Sequence, residues 1–521
     1  MYLNSSERSN NSFFPGFLIG IFLIAAVCYI WHDSYIDDAY IGFRCIDNFF
    51  RDEGFNFNPF ERVESVTNIG WLFFLAPFSA VIKPHIAGKV LGIIFLVFSA
   101  IIVSKIGVKY DRERNDGQND LYVRYVLPLL VFTCPSFLYY SQSGMETSFL
   151  FTILGLPSFW QKSKHFLVYT ALVYGFAFSV RPECILLFPL YAAALLLVGH
   201  YNRVAEELDK KEVYRAVFIW SAIIIIISLW RYTYFGDILP NTFYSKKTAF
   251  LDIVLRAGLF LSGKLSNLPM PYSGLFLIPI IFLGCNQLYR NSPDIFPVYF
   301  STAITGWFFS VYAAEDWTST PRYLAPYLPY CILIILAGLT HSQLLKIPRL
   351  KLPLRVFYSA FFLLLLFSNL VDGLMHFSSA ATNVYPGYVV NCRNLLTPAL
   401  EINAMLPQNA VIATRRIGLL GYITGREIFD YKFSLPHKDV ISALKKAKLQ
   451  YFDEPDNENL AEIWQKRRPD YILEDTKTIK AIIERQGANF QSFKLHGITY
   501  YHKKSFKIGE TECWMLYASA T

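Results

Sequence analysis

Long apolar runs recur along the first 374 residues and constrain the fold more than any other feature. They lie at roughly 15–31, 67–82, 87–107, 121–140, 146–160, 165–180, 184–200, 216–232, 274–289, 295–313, 325–343 and 356–374. The chain of 521 residues is 54% hydrophobic and only 17% charged, which is unusual for a soluble domain. Since a helix needs ~20 apolar residues to cross ~30 Å of hydrocarbon, the sequence predicts a polytopic α-helical membrane protein with about 11–12 transmembrane helices.

Basic residues lie mainly between the apolar runs, so the net charge of +8 indicates membrane topology and no nucleic-acid partner. The basic loop 343–355 is predicted to be cytoplasmic. Counting spans from this loop places 37–38, 181–183 and the chain after 375 on the outer side. The basic loop 105–124 does not fit the count, and the run 67–82 is a candidate for a segment that does not cross fully.

After residue 375 the apolar runs end and the composition changes. Charged, helix-like segments then alternate with strand-like ones. The helix-like segments are 438–449, 459–468 and 476–486, and the strand-like ones are 410–414, 470–474 and 511–518. This pattern predicts a transmembrane domain over 1–374, with an outer loop at 32–66, and a small extracytoplasmic α/β domain over 375–521. Cys392 and Cys513 could pair there, although sequence alone does not bring them together.

The acidic pair Asp37 and Asp38 directly follows the first apolar run. Carboxylates at a membrane surface can take a proton from an acceptor hydroxyl, or hold a divalent cation near a phosphate. They can equally be ordinary residues of a helix N-terminus, where Asp is favoured. Polar residues in the same loop favour a functional interpretation. These are Arg44, Asn58, Glu61, Glu64, Thr67 and Asn68.

Four further segments carry polar residues at the ends of apolar runs. They are Ser143–Thr147 with Glu146, Arg181–Glu183, Pro240–Lys246 with Asn241 and Tyr244, and Arg322–Tyr323. A boundary carboxylate such as Glu146 indicates function, and Arg or Lys can bind phosphate. Simple interfacial anchoring is the alternative for each segment. No nucleotide-binding or hydrolase motif occurs in the sequence, which favours a donor carried by a lipid.

The ordered motifs resemble those of the GT-C glycosyltransferases that use lipid-linked sugars. The resemblance extends from Asp37 to about Pro436 and is strongest to the bacterial branch with the mycobacterial terminal arabinofuranosyltransferases. It rests on DDAYIGFR at 37–44, FNPFERVESVTN at 57–68, SGMET at 143–147, RPE at 181–183, PNTFYSK at 240–246, RY at 322–323 and VIATRRIGLLGYITGREIFD at 411–430. Two positions depart from the family pattern, Ser65-Val66 and Arg416, so neither the acceptor nor the arabinose specificity is transferred.

The resemblance implies an inverting hexosyl- or pentosyltransferase on the outer face of the bacterial cytoplasmic membrane. It would move a sugar from a polyprenyl-phosphate donor to a cell-envelope glycan or glycolipid. Asp37 or Asp38 would be the general base, with Glu146 assisting and a Mg or Mn ion bound by Asp38 and Glu146. The expected phosphate-binding residues are Arg44, Arg181, Lys246 and Arg322. The expected substrate-binding residues are Glu64, Asn68, Asn241 and Tyr244.

Two alternatives remain at the level of the sequence. A polymerase or ligase would move a larger glycan from a polyprenyl-pyrophosphate carrier, for which the outer loops offer only modest room. A transporter would place charged groups near the bilayer midplane, often in two related halves. Here the charged groups cluster at the ends of apolar runs, and no internal repeat is visible, so a transferase is favoured.

Overall fold

The computed structural model describes most of the chain. The described residues are 14–30, 32, 35–59, 61–113, 125–202, 209–245, 250–261, 277–313, 322–339, 367, 392–432, 437–447, 449, 452, 455–507 and 513–520. The predicted cytoplasmic loop 343–355, nearly all of the run 356–374 and the predicted domain boundary at 375 lie outside them.

Helices dominate the described part of the chain. In order they are α1 Phe14–Ile30, α2 Asp37–Phe50, α3 Ile69–Ser79, α4 Pro84–Glu113, α5 Leu127–Phe132, α6 Pro135–Gln142, α7 Thr147–Gly155, α8 Phe166–Val180, α9 Leu187–Asn202, α10 Lys210–Phe235, α11 Asn241–Ser245, α12 Phe250–Leu261, α13 Leu277–Asn291, α14 Phe296–Tyr312, α15 Leu328–Leu339, α16 Cys392–Met405, α17 Gly418–Thr424, α18 Lys438–Ala447, α19 Ala461–Arg467 and α20 Thr476–Gln486. The strands are β1 Val411–Ala413, β2 Glu427–Phe429, β3 Tyr471–Asp475, β4 Ser492–Leu495, β5 Ile498–Lys507 and β6 Cys513–Ser519.

The chain forms two compact units. The helical unit comprises Met1–His32, Gly88–Ile225 and Thr248–Ala381. The sheet unit comprises Asp33–Ala87, Ile226–Lys247 and Thr382–Thr521. The segment that carries the acidic pair therefore belongs to the same compact unit as the C-terminal sheet.

Two described helices are long and apolar enough to cross a membrane, Pro84–Val108 and Lys210–Phe235. Six other apolar helices have 10–17 residues. Some predicted spans are broken because proline interrupts their hydrogen bonding. The run 121–140 is divided into α5 and α6 at Pro135, and the run 146–160 ends in a 3₁₀ turn containing Pro157. The run 67–82 forms only the 11 residues of α3.

Helix α10 is apolar yet faces outward. Only 6% of its most apolar stretch is buried, and Phe218 and Ile226 are 73% and 65% exposed. Exposed apolar surface of this extent is unfavourable in water. The helix therefore has the surface of one that lies against lipid.

Glycines allow close helix packing in the helical unit. Gly284 of α13 and Gly338 of α15 approach so closely that a Cβ on Gly284 would overlap the carbonyl oxygen of Ile334. A Cβ on Gly338 would overlap the carbonyl oxygen of Ile280 in the same way. Small residues permit such backbone approach in membrane helix pairs, where apolar surfaces alone give little net attraction.

The C-terminal part of the sheet unit is a six-stranded sheet with strand order β2-β1-β3-β6-β5-β4. Strands β2, β1 and β3 are parallel, whereas β6, β5 and β4 form an antiparallel continuation. Strand β1 lies between β2 and β3 in the sheet. The connection after β1 leads to β2 on one side, whereas the connection after β3 leads to strands on the opposite side. The carboxyl ends of β1 and β3 thus meet at a topological switch point, where α/β folds usually place functional groups.

Local sequence explains the C-terminal helices. Helix α20 begins at Asp475, whose side chain accepts from the Thr478 N–H at 2.7 Å, and it ends at Gly487, which has φ 60°. Its residues Ile479 and Ile483 share one face and are buried in the core around Trp464. The predicted small α/β domain is confirmed, including its three helices, while the antiparallel β4–β5 hairpin was missed. Cys513 is a free cysteine, so it does not pair with Cys392.

Candidate active site

Asp37 and Asp38 are the first two residues of helix α2, and both carboxylate oxygens of Asp37 accept hydrogen bonds. The Oδ1 atom of Asp37 accepts from the Leu419 N–H at 2.7 Å, and Oδ2 accepts from the Gly418 N–H at 3.1 Å. These two amides open helix α17, whose first N–H groups have no partner within the helix. Burial and the neighbouring charge of Asp38 raise the pKa of Asp37, although the two hydrogen bonds and Arg416 oppose this.

Asp38 is the second residue of α2 and, like Asp37, is partly exposed. Since successive residues of an α-helix differ by about 100° around its axis, Asp38 projects in a different direction from Asp37. The two carboxylates therefore have different surroundings although they are adjacent in sequence. Of the two predicted bases, Asp38 is the one whose carboxylate does not cap α17.

Helix α17 packs against α2 through glycine. A Cβ on Gly418 would overlap the Asp37 carbonyl oxygen, and a Cβ on Gly421 would lie 2.6 Å from Nη1 of Arg44. Tyr422 of the same helix packs against Tyr40 in a tilted arrangement, with ring centroids 5.3 Å apart. It also hydrogen-bonds His85, with 3.0 Å between its hydroxyl oxygen and Nδ1. The VIATRRIGLLGYITG segment is thus the partner of the acidic motif.

Arg44 was predicted to bind a donor phosphate, but its side chain lies inside the sheet unit. It is 2% exposed, and its Nη2 donates to the Arg426 carbonyl oxygen at 2.6 Å. Its guanidinium lies 4.4 Å from the centroid of the Phe57 ring, and burial lowers its pKa to about 10. The surroundings therefore fit a cation that fastens α2 to the C-terminal segment. Its predicted role at a donor phosphate stays a prediction.

The loop after α2 is joined to the sheet by two polar side chains. Asn58 pairs with both backbone groups of Ile428 in the edge strand β2. Oε1 of Glu61 lies 3.1 Å from Nδ1 of His437 and 2.9 Å from Nη2 of Arg467. Burial alone would raise the pKa of Glu61, but the hydrogen bonds and charges of His437 and Arg467 outweigh it and lower the pKa to about 2.

Glu64 was predicted to bind substrate, and the structure pairs it with Arg231. Nε of Arg231 lies 3.1 Å and 3.0 Å from the two carboxylate oxygens, and both side chains are buried. The Glu64 carbonyl oxygen also accepts from the Asn241 N–H at 3.0 Å. Asn68, another predicted substrate residue, is the N-cap residue of α3. These contacts connect the acidic loop with the segment 231–241.

The remaining substrate-binding prediction concerns the segment 240–246. Asn241 opens the short helix α11 and is buried. The side chain of Tyr244 and the whole of Lys246 lie outside the described residues. Their predicted roles therefore stay predictions.

A second polar cluster lies in the helical unit. Nε of Arg181 is 2.8 Å from Glu146 Oε1 and 3.9 Å from Glu183 Oε1, and all three residues are buried. The Tyr327 hydroxyl donates to Glu183 at 3.3 Å. A buried charge without a counter-charge is very costly. Glu146 and Glu183 supply the negative charge beside Arg181, which the sequence predicted to bind a phosphate.

Arg322 is the other predicted phosphate-binding residue of the helical unit. Its guanidinium lies 5.9 Å from the ring centroid of Tyr323, and that of Arg181 lies 5.5 Å from the same centroid. Arg322 is partly exposed, whereas Arg181 is buried. Arg322 is consequently the more accessible cation of this cluster.

The predicted metal ligands, Asp38 and Glu146, belong to different compact units. Among the described residues, no group of three or more His, Cys, Asp or Glu side chains forms a cage for a metal ion. The divalent cation stays a prediction.

The switch point of the sheet carries a charged cluster. Arg415, two residues after β1, donates through Nε to Glu474 at 2.9 Å and also forms an ion pair with Asp475. The Tyr431 hydroxyl donates to Glu474 at 2.7 Å. These bonds tie the ends of β1 and β3 together beneath α17, so the charge of Arg415 is internally matched.

Several of these residues could not be singled out from the sequence. Arg231, His437 and Arg467 each pair with a loop carboxylate that is distant in sequence. Their only sequence signal is charge, which surface residues share. Gly418 and Gly421 had a better signal, because two glycines three residues apart mark a helix face that permits close approach.

Comparison with solved structures shows a GT-C-like fold. The archaeal oligosaccharyltransferase AglB from Archaeoglobus fulgidus, solved with an inhibitory peptide and a dolichol-phosphate, matches 97% of this chain and 76% of its own length, with 10% identity and a TM-score of 0.52. ArnT from Cupriavidus metallidurans was solved with undecaprenyl phosphate and in the apo state. The two structures have TM-scores of 0.47 and 0.46 and 11% identity, and each comparison covers 96% of this chain and 97% of ArnT. No family model and no curated protein matches the sequence.

Proposed function

We propose that this chain is a membrane glycosyltransferase that moves a sugar from a polyprenyl-phosphate carrier to a hydroxyl group of a glycan or glycolipid acceptor. The observation that carries the proposal is the division of the acidic pair within a GT-C-like fold. Asp37 is held by α17, and the partly exposed Asp38 follows it on a fixed helix. The fold is shared with AglB, which was solved with a dolichol-phosphate, and this supports a lipid-phosphate carrier here.

Asp38 is the proposed general base. An acceptor hydroxyl would lose its proton to the Asp38 carboxylate as its oxygen forms a bond to the anomeric carbon of the sugar. The bond from that carbon to the phosphate oxygen breaks, and the electron pair leaves with the lipid phosphate. Attack opposite the leaving group inverts the anomeric centre. General-base assistance of this kind contributes about 10²–10⁴-fold to the rate.

The leaving phosphate gains negative charge and needs cations near it. Arg44, Arg181, Lys246 and Arg322 are the proposed partners. Glu146 and Arg181 would then act together as a buried ion pair that orients this part of the site. A divalent cation, Mg or Mn, is a further proposal, which a chelator tests.

The site is proposed to face the extracytoplasmic side of a bacterial cytoplasmic membrane, with a cell-envelope glycan as acceptor. The apolar, outward-facing surface of α10 and the length of α4 support residence in a membrane. A lipid-carried donor fits a site that has no nucleotide-binding motif. The donor sugar is proposed to be a hexose or a pentose.

The test uses the full-length protein reconstituted in liposomes with radiolabelled polyprenyl-phosphate sugars and a membrane extract as acceptor. Wild type should transfer label, and Asp38→Asn should lower kcat by about 10²–10⁴-fold while donor binding persists. Asp52→Asn is the matched control, since Asp52 is exposed with φ 62° and asparagine accepts that conformation. Assays with EDTA and with added Mg²⁺ or Mn²⁺ test the cation. If the wild-type protein leaves the label on every donor that is tested, the proposal is contradicted.

The similarity to an oligosaccharyltransferase favours one second candidate, the transfer of a preassembled glycan. The same liposomes loaded with a polyprenyl-pyrophosphate oligosaccharide separate the two functions. A product that is heavier by a whole oligosaccharide supports the second candidate. A product that is heavier by one sugar, formed only from the monophosphate donor, supports the first.

A further inference from the structure

We infer that Asp37 is a positioning residue, through which helix α17 of the C-terminal segment fixes the direction of Asp38. This inference rests on the proposed function and deepens it, because it makes the C-terminal segment part of the catalytic centre. The segment would then be needed for the chemical step and would be more than a separate module that recognises the acceptor.

The first argument is the geometry of the carboxylate. Each oxygen of Asp37 accepts one backbone N–H, at 2.7 Å from Leu419 and 3.1 Å from Gly418. Two bonds from consecutive amides determine both the position and the plane of a carboxylate. Hydrogen bonds to a charged acceptor are also about twice as strong as neutral ones. Asp37 therefore joins the first turn of α2 rigidly to the first turn of α17.

The second argument is that α2 is held at two points on one face. Arg44 lies seven residues after Asp37, which is about two helical turns. Its Nη2 donates to the Arg426 carbonyl oxygen at 2.6 Å, just beyond the end of α17. Tyr40 lies between the two, and its ring packs against that of Tyr422 with the centroids 5.3 Å apart. Contacts spread along one face prevent the helix from turning about its axis.

The third argument is that α17 packs so closely against α2 and the Phe57 ring that there is no room for a Cβ atom at Gly418 or Gly421. A Cβ on Gly418 would overlap the carbonyl oxygen of Asp37, and a Cβ on Gly421 would lie 2.7 Å from the Phe57 ring. Backbone atoms cannot move aside as a flexible side chain can, so a methyl group at Gly418 must push α17 away. Because Asp38 lies about 100° around the helix from Asp37, any rotation of α2 displaces its carboxylate.

The experiment compares Asp37→Asn, Gly418→Ala and the double variant in the liposome assay. Asp37→Asn replaces one acceptor oxygen with an N–H₂ group, and Gly418→Ala leaves both carboxylates intact. We expect each single variant to lower kcat by about 10²-fold, as small misplacements of catalytic groups do, with the KM for the donor unchanged. The double variant should be no slower than the slower single one, because both changes break the same contact.

Gly258→Ala is the matched control, because a Cβ there has no neighbour within 4 Å. If Asp37→Asn abolishes transfer while Gly418→Ala behaves as wild type, Asp37 is itself the base and the inference is wrong. Additive losses, or losses confined to KM, also overturn it. If Gly418→Ala does not fold, Asp37→Glu takes its place, because its longer side chain shifts α2 but keeps the charge.

Amide hydrogen exchange provides a readout that does not require activity. The Gly418 and Leu419 amides should exchange slowly in wild type and quickly in Asp37→Ala, since the carboxylate is their partner. Fast exchange in both proteins overturns the docking contact itself. Slow exchange in a wild-type protein that transfers no sugar would instead contradict the proposed function, and the contact would have only a structural role.

Discussion

The side-chain amide of Asn58 forms two hydrogen bonds with the backbone of Ile428, donating to its carbonyl oxygen at 3.0 Å and accepting from its N–H at 3.1 Å. This is the pairing that a neighbouring strand would make, and it occurs at β2, which is an edge strand of the sheet. Asn58 thus satisfies a strand edge that would otherwise expose unpaired backbone groups. The acidic loop and the C-terminal sheet consequently stabilise each other.

Asn58→Asp should destabilise the protein at neutral pH. The new carboxylate can accept from the Ile428 N–H, but it places an oxygen against the carbonyl that Nδ2 now serves. A buried acceptor that loses its donor costs about 1–3 kcal/mol, and this cost should appear as a lower unfolding midpoint in thermal or urea titrations.

Asn457→Asp is the matched control for this change. The Asn457 side chain is half-buried at the surface, and its oxygen accepts from the Asn459 backbone N–H and side-chain amide. An acid there keeps the contact, so the midpoint should stay near that of wild type. Equal midpoints for Asn58→Asp and Asn457→Asp would show that the Ile428 pairing does not contribute to stability.

The acid stability of the sheet unit should depend on Glu61. Its pKa is lowered from 4.5 to about 2 by His437 and Arg467, which outweigh the effect of burial. A carboxyl group with a depressed pKa in the folded state stabilises the protein above its unfolded pKa, and that contribution is lost as the pH falls through the folded value. Glu61→Gln should therefore be less stable than wild type above about pH 5, and the difference should shrink towards pH 2.

Urea titrations of the two proteins at several pH values measure this dependence. Glu401→Gln is the control, because Glu401 pairs with Lys504 on the surface, where ion pairs contribute little. A difference between wild type and Glu61→Gln that stays constant from pH 6 to 2 would contradict the assignment.

How far the sequence could predict this arrangement depends on the distance of each partner along the chain. A helix start at Asp37-Asp38 is a local pattern, and it was one of the two interpretations of the acidic pair. In the tail, α18, α19, α20, β1, β3 and β6 were predicted, whereas α16, α17, β2, β4 and β5 were missed. The partners of Asp37 lie 381 and 382 residues away, and backbone amides leave no signature in the residue types. The parallel pairing of β1 with β3 is equally non-local. Such contacts follow from tertiary packing, which a single sequence does not report.

The assignments of Arg44 and Glu64 show the same limit at single residues. Both are charged residues in a polar loop, and such residues usually lie in water. The structure buries each of them beside a partner from another part of the chain, Arg426 or Arg231. Composition therefore indicated that the loop is unusual. It could not separate residues that hold the loop in place from residues that could meet a substrate.

Glu64 and Arg231 should behave as a buried ion pair, so that replacing one partner alone lowers stability more than replacing both. Glu64→Leu alone leaves the buried charge of Arg231 uncompensated, which costs about 3–5 kcal/mol. Arg231→Met should cost less, because burial already raises the pKa of Glu64 to about 7 and the carboxyl group becomes neutral once its cation is gone. The double variant removes both charges and should recover most of that loss. Unfolding midpoints of the four proteins give the coupling energy through a double-mutant cycle. Additive losses would show that the two side chains act separately.

Gly284→Ala should weaken the helical unit, because a Cβ at this position overlaps the Ile334 carbonyl oxygen and must push α13 and α15 apart. The loss of contacts along both helices should lower the free energy of unfolding by about 1–3 kcal/mol, which is typical of overpacking. The thermal midpoint should fall with it. Thermal unfolding in detergent measures this loss. Gly258→Ala is the control, because a Cβ there meets nothing within 4 Å. It should keep or slightly raise the midpoint, since alanine favours the helix. Since the change lies in the helical unit, exchange at the Gly418 and Leu419 amides should stay as in wild type. A midpoint equal to that of Gly258→Ala would show that α13 and α15 are not in close contact at this glycine pair.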